Sequence, residues 1–179
     1  MVRIFIAVEP SAEIRKNIAA AGTSLTGAGK LSLVSAELMH ITLKFLGEIP
    51  EASLPKIHSA IADIGKIQAS YTMTASKVST FGRPARVVKA EVHDGGVSAN
   101  LAAEIDKRLS RLGFPREEKP FSPHITIARV KENSPVLAQK TAEIKDTEFG
   151  CCTIRELLIK KSVLTPKGPI YTTIYRIEL

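Results

Sequence analysis

Apolar residues in this chain either alternate with polar ones or recur at a spacing of three to four. Alternation and short β-branched runs predict strands at residues 2–9, 31–34, 70–80, 86–93, 151–164 and 170–179, and in two segments that begin at His40 and His124. The helical spacing predicts helices that begin at Ser11, Pro50, Asp94 and Ser134. No low-complexity linker separates these segments, so we expect residues 1–179 to form one domain.

Two of the predicted strands share a tetrapeptide. Residues 40–43 are His-Ile-Thr-Leu, and residues 124–127 are His-Ile-Thr-Ile. Because side chains alternate along a strand, the first segment should have an apolar face made of Ile41, Leu43 and Phe45. Its polar face should carry His40, Thr42 and Lys44. The repeat predicts a duplicated lobe with one imidazole in each copy.

The order of the elements favours an α+β fold. Each motif strand is preceded and followed by a helix, with further strands between. We expect a bilobal, pseudo-two-fold fold in which two antiparallel-rich sheets face a central cleft and the helices lie outside. A doubly wound parallel sheet is the alternative, and the polar and apolar alternation of both motif strands disfavours it, because parallel strands are normally buried on both faces.

Composition narrows the setting and the partner. The chain has 179 residues, of which 44% are hydrophobic, and a formal net charge of +7, which favours an anionic partner. Its two cysteines, Cys151 and Cys152, are adjacent and cannot cross-link distant segments, so a reducing cytoplasm is the simplest setting. The first strand lacks the features of a signal peptide, and no apolar run approaches the roughly 18 residues that span a bilayer. We therefore expect no membrane association.

Two imidazoles that face each other across a cleft suit in-line displacement at phosphorus. One takes a proton from the nucleophile while the other donates a proton to the leaving oxygen. An unperturbed histidine titrates near a pKa of about 6.5, so both forms are available at neutral pH. The hydroxyls of Thr42 and Thr126 would bind the phosphate oxygens. Zinc is disfavoured because the chain has no His-Glu-x-x-His, no Cys-x-x-Cys and no clear third ligand, and we expect no metal or other cofactor.

Residues 40–48 and 123–129 also resemble the paired signatures of the two-histidine phosphoesterase superfamily. Within it the chain is most similar to the RNA 2′,3′-cyclic phosphodiesterases, historically called 2′-5′ RNA ligases. The similarity extends nearly from end to end, since residues 3–8 and 168–171 match the style of that family. The resemblance implies a basic cleft and metal-free hydrolysis of RNA 2′,3′-cyclic phosphate ends, or of cyclic nucleotides, to 2′-phosphomonoesters.

The same resemblance implies roles for individual residues. His124 is expected to be the general base that activates water, and His40 the general acid that protonates the 3′ oxygen, although the residues alone leave the reverse assignment open. Thr42 and Thr126 would hold the phosphate. Five further candidates for substrate binding are Arg129, Phe121, Tyr171, Lys44 and Lys89.

These further candidates rest on different observations. Strict alternation places Arg129 on the face opposite Thr126 unless the strand ends or bulges there. Phe121 and Tyr171 are aromatic residues that we expect on loops near the cleft, where they would stack on a base. Lys89 stands where many relatives carry an aromatic residue, so a phosphate contact replaces base stacking there. Lys44 is expected beside the histidine face.

Two other functions use the same residues. A 2′-5′ RNA ligase would run a related step with a 5′ hydroxyl in place of water, and an RNA-end-binding module would keep the fold without turnover. The intact histidines and threonines of both motifs disfavour the binding module. We expect the chain to act as a monomer.

Overall fold

The computed structural model describes residues 1–179. Its strands are β1 (Val2–Val8), β2 (Lys30–Leu33), β3 (Ile41–Ile49), β4 (Tyr71–Phe81), β5 (Val87–His93), β6 (His124–Glu132), β7 (Glu148–Ile154), β8 (Glu156–Thr165) and β9 (Gly168–Glu178). Its α-helices are α1 (Ala12–Thr23), α2 (Leu54–Ile61), α3 (Ile64–Ile67), α4 (Val97–Ser110) and α5 (Pro135–Glu143). Single 3₁₀ turns occur at Ala36–Leu38 and Glu51–Ser53. No helix is both long and apolar enough to cross a membrane.

Polar side chains fix the starts of three helices. The Ser11 hydroxyl accepts a hydrogen bond from the Ile14 amide at α1, and the Ser134 hydroxyl accepts one from Val136 at α5. At α4 the Asp94 carboxylate accepts hydrogen bonds from the Gly96 and Ser98 amides. The predicted starts of α1 and α5 are therefore confirmed.

The strands form two antiparallel sheets. Sheet A has the order β3-β1-β8-β9, and sheet B has the order β2-β6-β5-β4-β7. Every pair is antiparallel, which confirms the predicted fold class and excludes the doubly wound alternative. Each sheet contains strands from both halves of the chain, so the two lobes are interleaved in sequence.

The helices cover the outer faces of the two sheets. Helices α2, α3 and α4 lie on the side of sheet A, while α1 and α5 pack against sheet B. The apolar side chains between helices and sheets form one continuous buried cluster that includes Ile4 and Ile6 of sheet A and Met73 and Ala90 of sheet B. The opposite faces of the sheets are left to line the cleft.

The predicted strand at residues 151–164 is wrong, because this segment is two strands in different sheets. Strand β7 pairs with β4 in sheet B, whereas β8 pairs with β1 and β9 in sheet A. Arg155 separates them, and its carbonyl accepts a hydrogen bond from the Leu179 amide at 2.9 Å. No glycine or proline lies at this crossover, so the sequence pattern predicts a single strand across it.

A β-bulge in β3 overturns the predicted faces of that strand. Thr42 pairs with Ala7 and Lys44 pairs with Ile6, so Leu43 is an extra residue without a partner. Lys44 and Phe45, which lie between this bulge and a further register shift at Leu46, therefore point to the faces opposite to those that alternation predicts. Phe45, expected in the core, is 52% exposed and lies under the Arg3 guanidinium, whereas Lys44 is only 8% exposed.

Lys44 points away from the cleft and binds Asp106 of α4. Its ammonium lies 2.5 Å from the Asp106 carboxylate and donates to the Pro115 carbonyl at 2.9 Å. The same carboxylate accepts hydrogen bonds from the Arg116 side chain and the Glu117 amide. Burial favours the neutral acid, but these donors together hold the pKa of Asp106 below its usual value. The expected role of Lys44 in substrate binding is therefore wrong.

Asp106→Ala should destabilise the protein, because it leaves the buried Lys44 ammonium without its counter-ion. We expect the free energy of unfolding to fall by about 3 kcal/mol, measured by urea denaturation at neutral pH. A double variant with Asp106→Leu and Lys44→Met removes both charges, so its free energy of unfolding should return close to that of the native protein. A single variant that loses less than about 1 kcal/mol would show that the ion pair is dispensable.

Candidate active site

A cavity of about 710 Å³ lies between the two sheets. Sheet A and the segment before β3 contribute His40, Thr42 and Tyr171, while sheet B contributes His124, Thr126 and Arg129. The lining includes no aspartate or glutamate, and its only formally charged residues are Arg129, Lys131 and Lys167. Both copies of the tetrapeptide therefore open into one basic cavity.

The backbone fixes the tautomer of His40. Its Nδ1 lies 2.7 Å from the Leu38 carbonyl oxygen, which can only accept, so Nδ1 carries the proton. In the neutral ring Nε2 is then an acceptor, and the Thr42 hydroxyl donates to it at 3.0 Å. Phe5 and Tyr171 contact the ring, with centroids 4.8 Å and 5.3 Å away. These contacts leave the imidazole little freedom to rotate.

His124 repeats this arrangement in the other sheet. Its Nδ1 lies 2.8 Å from the Ser122 carbonyl, again the carbonyl two residues earlier. The proton therefore sits on Nδ1, and Nε2 forms no hydrogen bond within the protein. The edge of the Phe81 ring packs against the imidazole at a centroid distance of 4.9 Å. The two histidines are thus equivalent in tautomer and in backbone support.

Burial lowers the pKa of both imidazoles. It lowers the pKa of His40 to about 4, and the Leu38 hydrogen bond opposes the shift only in part. Burial likewise lowers the pKa of His124, and the charges of Lys89 and Arg129 add to the effect. The expectation that both protonation forms are available at neutral pH is therefore wrong for the unliganded site. At neutral pH His40 is therefore neutral, and the lowered pKa of His124 favours its neutral form.

A second bulge turns Arg129 into the cavity. Thr126 pairs with Lys89 and Ala128 pairs with Val88, so Ile127 is the extra residue of β6. Beyond this bulge Arg129 faces the same side as Thr126 and lines the cavity. Leu43 and Ile127 occupy the same position in the two tetrapeptides, which means that each motif strand bulges directly after its threonine.

Lys89 of β5 lies next to Thr126 in sheet B and has no acidic partner. It is 7% exposed, it pairs with Thr126 on one side and Ser79 on the other, and it makes no salt bridge. Its ammonium sits over the Phe81 ring, 4.2 Å from the centroid. The buried Ser79 hydroxyl also lacks a hydrogen-bond partner. Lys89 thus lies between Ser79 and Thr126 in sheet B, next to the cavity but not among the residues that line it.

The two aromatic candidates lie in different surroundings. Tyr171 lines the cavity, but it belongs to β9 and not to a loop as expected. Phe121 is on the loop before β6, where it packs against the hydrophobic core and does not line the cavity. Phe5 and Phe81, which contact the two imidazoles, were not identified from the sequence, because their positions depend on which strands pair.

The cavity offers no obvious metal site. No three histidine, cysteine, aspartate or glutamate side chains are grouped closely enough to hold an ion. The groups that can act chemically are therefore two imidazoles, two threonine hydroxyls and the nearby cations.

Similar proteins are known from sequence and structure. Residues 8–88 and 96–171 match the profile of the LigT-like phosphoesterases. The chain is 34% identical to the RNA 2′,3′-cyclic phosphodiesterase of Archaeoglobus fulgidus over 172 residues, which cover 95% of this chain and 96% of that protein. A crystal structure of a Thermus thermophilus protein has a TM-score of 0.86 and 28% identity, and covers 99% of this chain and 97% of that chain. For E. coli LigT complexed with 3′-AMP, the TM-score is 0.80 and the identity 25%, with 99% and 98% covered.

Because the pKa of His40 is lowered in the folded protein, the free energy of unfolding should decrease as the pH falls. Between the ordinary pKa of 6.5 and about 4 the unfolded chain binds a proton that the folded protein does not. Stability present above the higher value is therefore lost as the pH falls through this window. Between about pH 7.5 and about pH 4.5, we expect the native protein to lose about 2–3 kcal/mol more than His40→Gln. Urea denaturation of both proteins measures the difference, and equal losses would contradict it.

Proposed function

Because the chain belongs to the LigT-like phosphoesterase family, we propose that it hydrolyses RNA 2′,3′-cyclic phosphate ends to 2′-phosphomonoesters. The observation that carries the proposal is the pair of equivalent imidazoles, one from each lobe, that open into one acid-free cavity. The name of the Archaeoglobus relative and the 3′-AMP bound to E. coli LigT support this class of substrate.

Hydrolysis requires a proton transfer on each side of phosphorus. His124 takes a proton from water as the new P–O bond forms, and His40 donates a proton to the 3′ oxygen as its bond to phosphorus breaks. The products are a 2′-phosphomonoester and a free 3′ hydroxyl. Neither step requires a metal ion, since both proton carriers are side chains of the chain itself.

Substrate binding has to charge His40 before it can act as an acid. A proton with a pKa of about 4 is absent at neutral pH in the empty site. The negative charge of a bound phosphate favours the imidazolium and raises the pKa. His124 needs no such change, because its Nε2 is free of hydrogen bonds, and burial, with the nearby Lys89 and Arg129, lowers its pKa and so favours the neutral base.

The phosphate would be held by groups from both motif strands. Once His40 is protonated, its Nε2 no longer accepts from Thr42, so Thr42 and Thr126 both donate from their hydroxyls to the phosphate, and Arg129 supplies a positive charge on the same face. Lys89, whose ammonium has no acidic partner, contacts a phosphate oxygen. Tyr171 contacts the nucleoside from the wall of the cavity. Phe121 is not included because it packs into the core.

The chemistry of the cysteines supports a cytoplasmic location. Cys151 and Cys152 are both free thiols, and Cys151 is exposed. A reducing compartment preserves such groups.

Replacing either catalytic histidine should abolish most turnover. We expect His40→Ala and His124→Ala each to lower kcat by about 10²- to 10⁴-fold, with EDTA leaving the native rate unchanged. Conversion of the cyclic phosphate end of an RNA to a 2′-phosphomonoester can be followed by ³¹P NMR. The matched control is His93→Ala, because His93 is an exposed histidine outside the cavity. Full activity in either catalytic variant would exclude the two-imidazole mechanism.

A substrate with sulfur in place of the 3′ oxygen separates the two roles. A thiolate leaves without protonation because its conjugate acid has a pKa of only about 8.5. His40→Ala should therefore lose less than about tenfold with the sulfur substrate, whereas His124→Ala should retain its full defect. The measurement is kcat for both variants on both substrates. The opposite pattern would assign His40 as the base and His124 as the acid.

A further inference from the structure

The cavity continues past the two histidines to a pair of lysines that the proposed reaction does not use. Lys131 comes from β6 in sheet B, and Lys167 comes from the turn between β8 and β9 in sheet A. Both side chains are exposed, and neither forms a salt bridge. Together with Arg129 they are the only formally charged residues of the lining, and all three are cations that an anion would neutralise.

Lys131 lies too far along β6 to share the phosphate that Thr126 would bind. Lys131 is five positions after Thr126, which is roughly 15 Å between their backbones at the usual rise along a strand. The adjacent acid does not neutralise it, because Glu132 forms a salt bridge with Lys30 at 2.8 Å. Lys131 is therefore an unpaired cation placed for a second phosphate.

The turn that carries Lys167 is held in place before any ligand binds. The Thr165 hydroxyl donates to the Gly168 carbonyl at 2.7 Å and accepts from the Lys167 amide at 3.2 Å. Pro166 and Pro169 on either side restrict the backbone further. The backbone at Lys167 is thus fixed, which lowers the entropy lost when its side chain binds an anion.

We infer that Lys131 and Lys167 bind the phosphodiester on the 5′ side of the reacting nucleotide, so that the preferred substrate is an RNA strand and not a mononucleoside cyclic phosphate. This inference rests on the proposed function. A cyclic phosphate closes the 3′ end of a strand, and the remaining phosphates must therefore leave the site on the 5′ side. The two lysines line the same cavity as the histidines, one from each lobe.

The test compares a short RNA that ends in a cyclic phosphate with cytidine 2′,3′-cyclic phosphate, which has no second phosphate. For Lys131→Ala and Lys167→Ala, the ratio of kcat/KM for RNA to kcat/KM for the mononucleotide should fall about three- to tenfold. The dependence of log kcat/KM for RNA on log salt concentration should become shallower by about 0.7 for each lysine removed. Lys56→Ala, which removes an exposed lysine of α2 outside the cavity, should change neither quantity.

Each outcome has one meaning. An unchanged ratio in both lysine variants, or an equal loss on both substrates, would overturn the inference. If the native protein hydrolyses neither substrate, the proposed function fails, and affinity for the same RNA bearing a 3′-phosphate then decides the inference by fluorescence anisotropy. Binding weakened in Lys131→Ala and Lys167→Ala but not in Lys56→Ala supports it, and binding equal in all three contradicts it.

Discussion

The alternation of side chains along a β-strand, and its interruption by one extra residue, determines what the cleft of this protein contains. Leu43 and Ile127 are the extra residues, and each directly follows the threonine of its motif. Before the bulge, histidine and threonine share the cleft face. After the bulge, Lys44 of β3 points away from the cleft and binds Asp106 of α4, whereas Arg129 of β6 points into the cleft. The bulge therefore removes a cation from the cleft face of β3 and adds a cation to the cleft face of β6.

Part of this site could be predicted from the sequence, because it depends only on residues close together in the chain. The pairing of His40 with Thr42, and of His124 with Thr126, requires nothing more than a strand with a period of two. The starts of α1 and α5 follow in the same way from a capping serine and its neighbours. Because this spacing is local, the repeated tetrapeptide alone was enough to predict the central residues of the cavity.

The remainder depends on partners that are distant in sequence. A bulge is defined by the register of the neighbouring strand, so the alternation of β3 alone placed Phe45 in the core and Lys44 in the cleft. The division at Arg155 follows from the pairing of β7 and β8 in different sheets. The contact between Phe81 and His124 requires β4, β5 and β6 to be aligned, which no local pattern encodes.

The electrostatics of the empty cavity combine two unfavourable features. Imidazoles are buried enough to lose their protons, and several cations lie close by without an acid among the lining residues. A phosphate relieves both, since its charge compensates the cations and makes protonation of an imidazole favourable. Binding and protonation are in this way linked, and a neutral ligand of the same shape would gain neither contribution.

The order of the strands in sheet A also bears on how the protein folds as it is made. Strand β1 is translated before both of its neighbours, because it lies between β3 and β8, and Arg3 pairs with Ser162. One edge of this apolar strand must therefore stay unpaired until β8 has been translated. Such long-range pairing slows folding, and an open edge invites contact with other chains. The cleft, although His40 is translated early, is completed only when the hairpin of β8 and β9, which carries Tyr171, has formed.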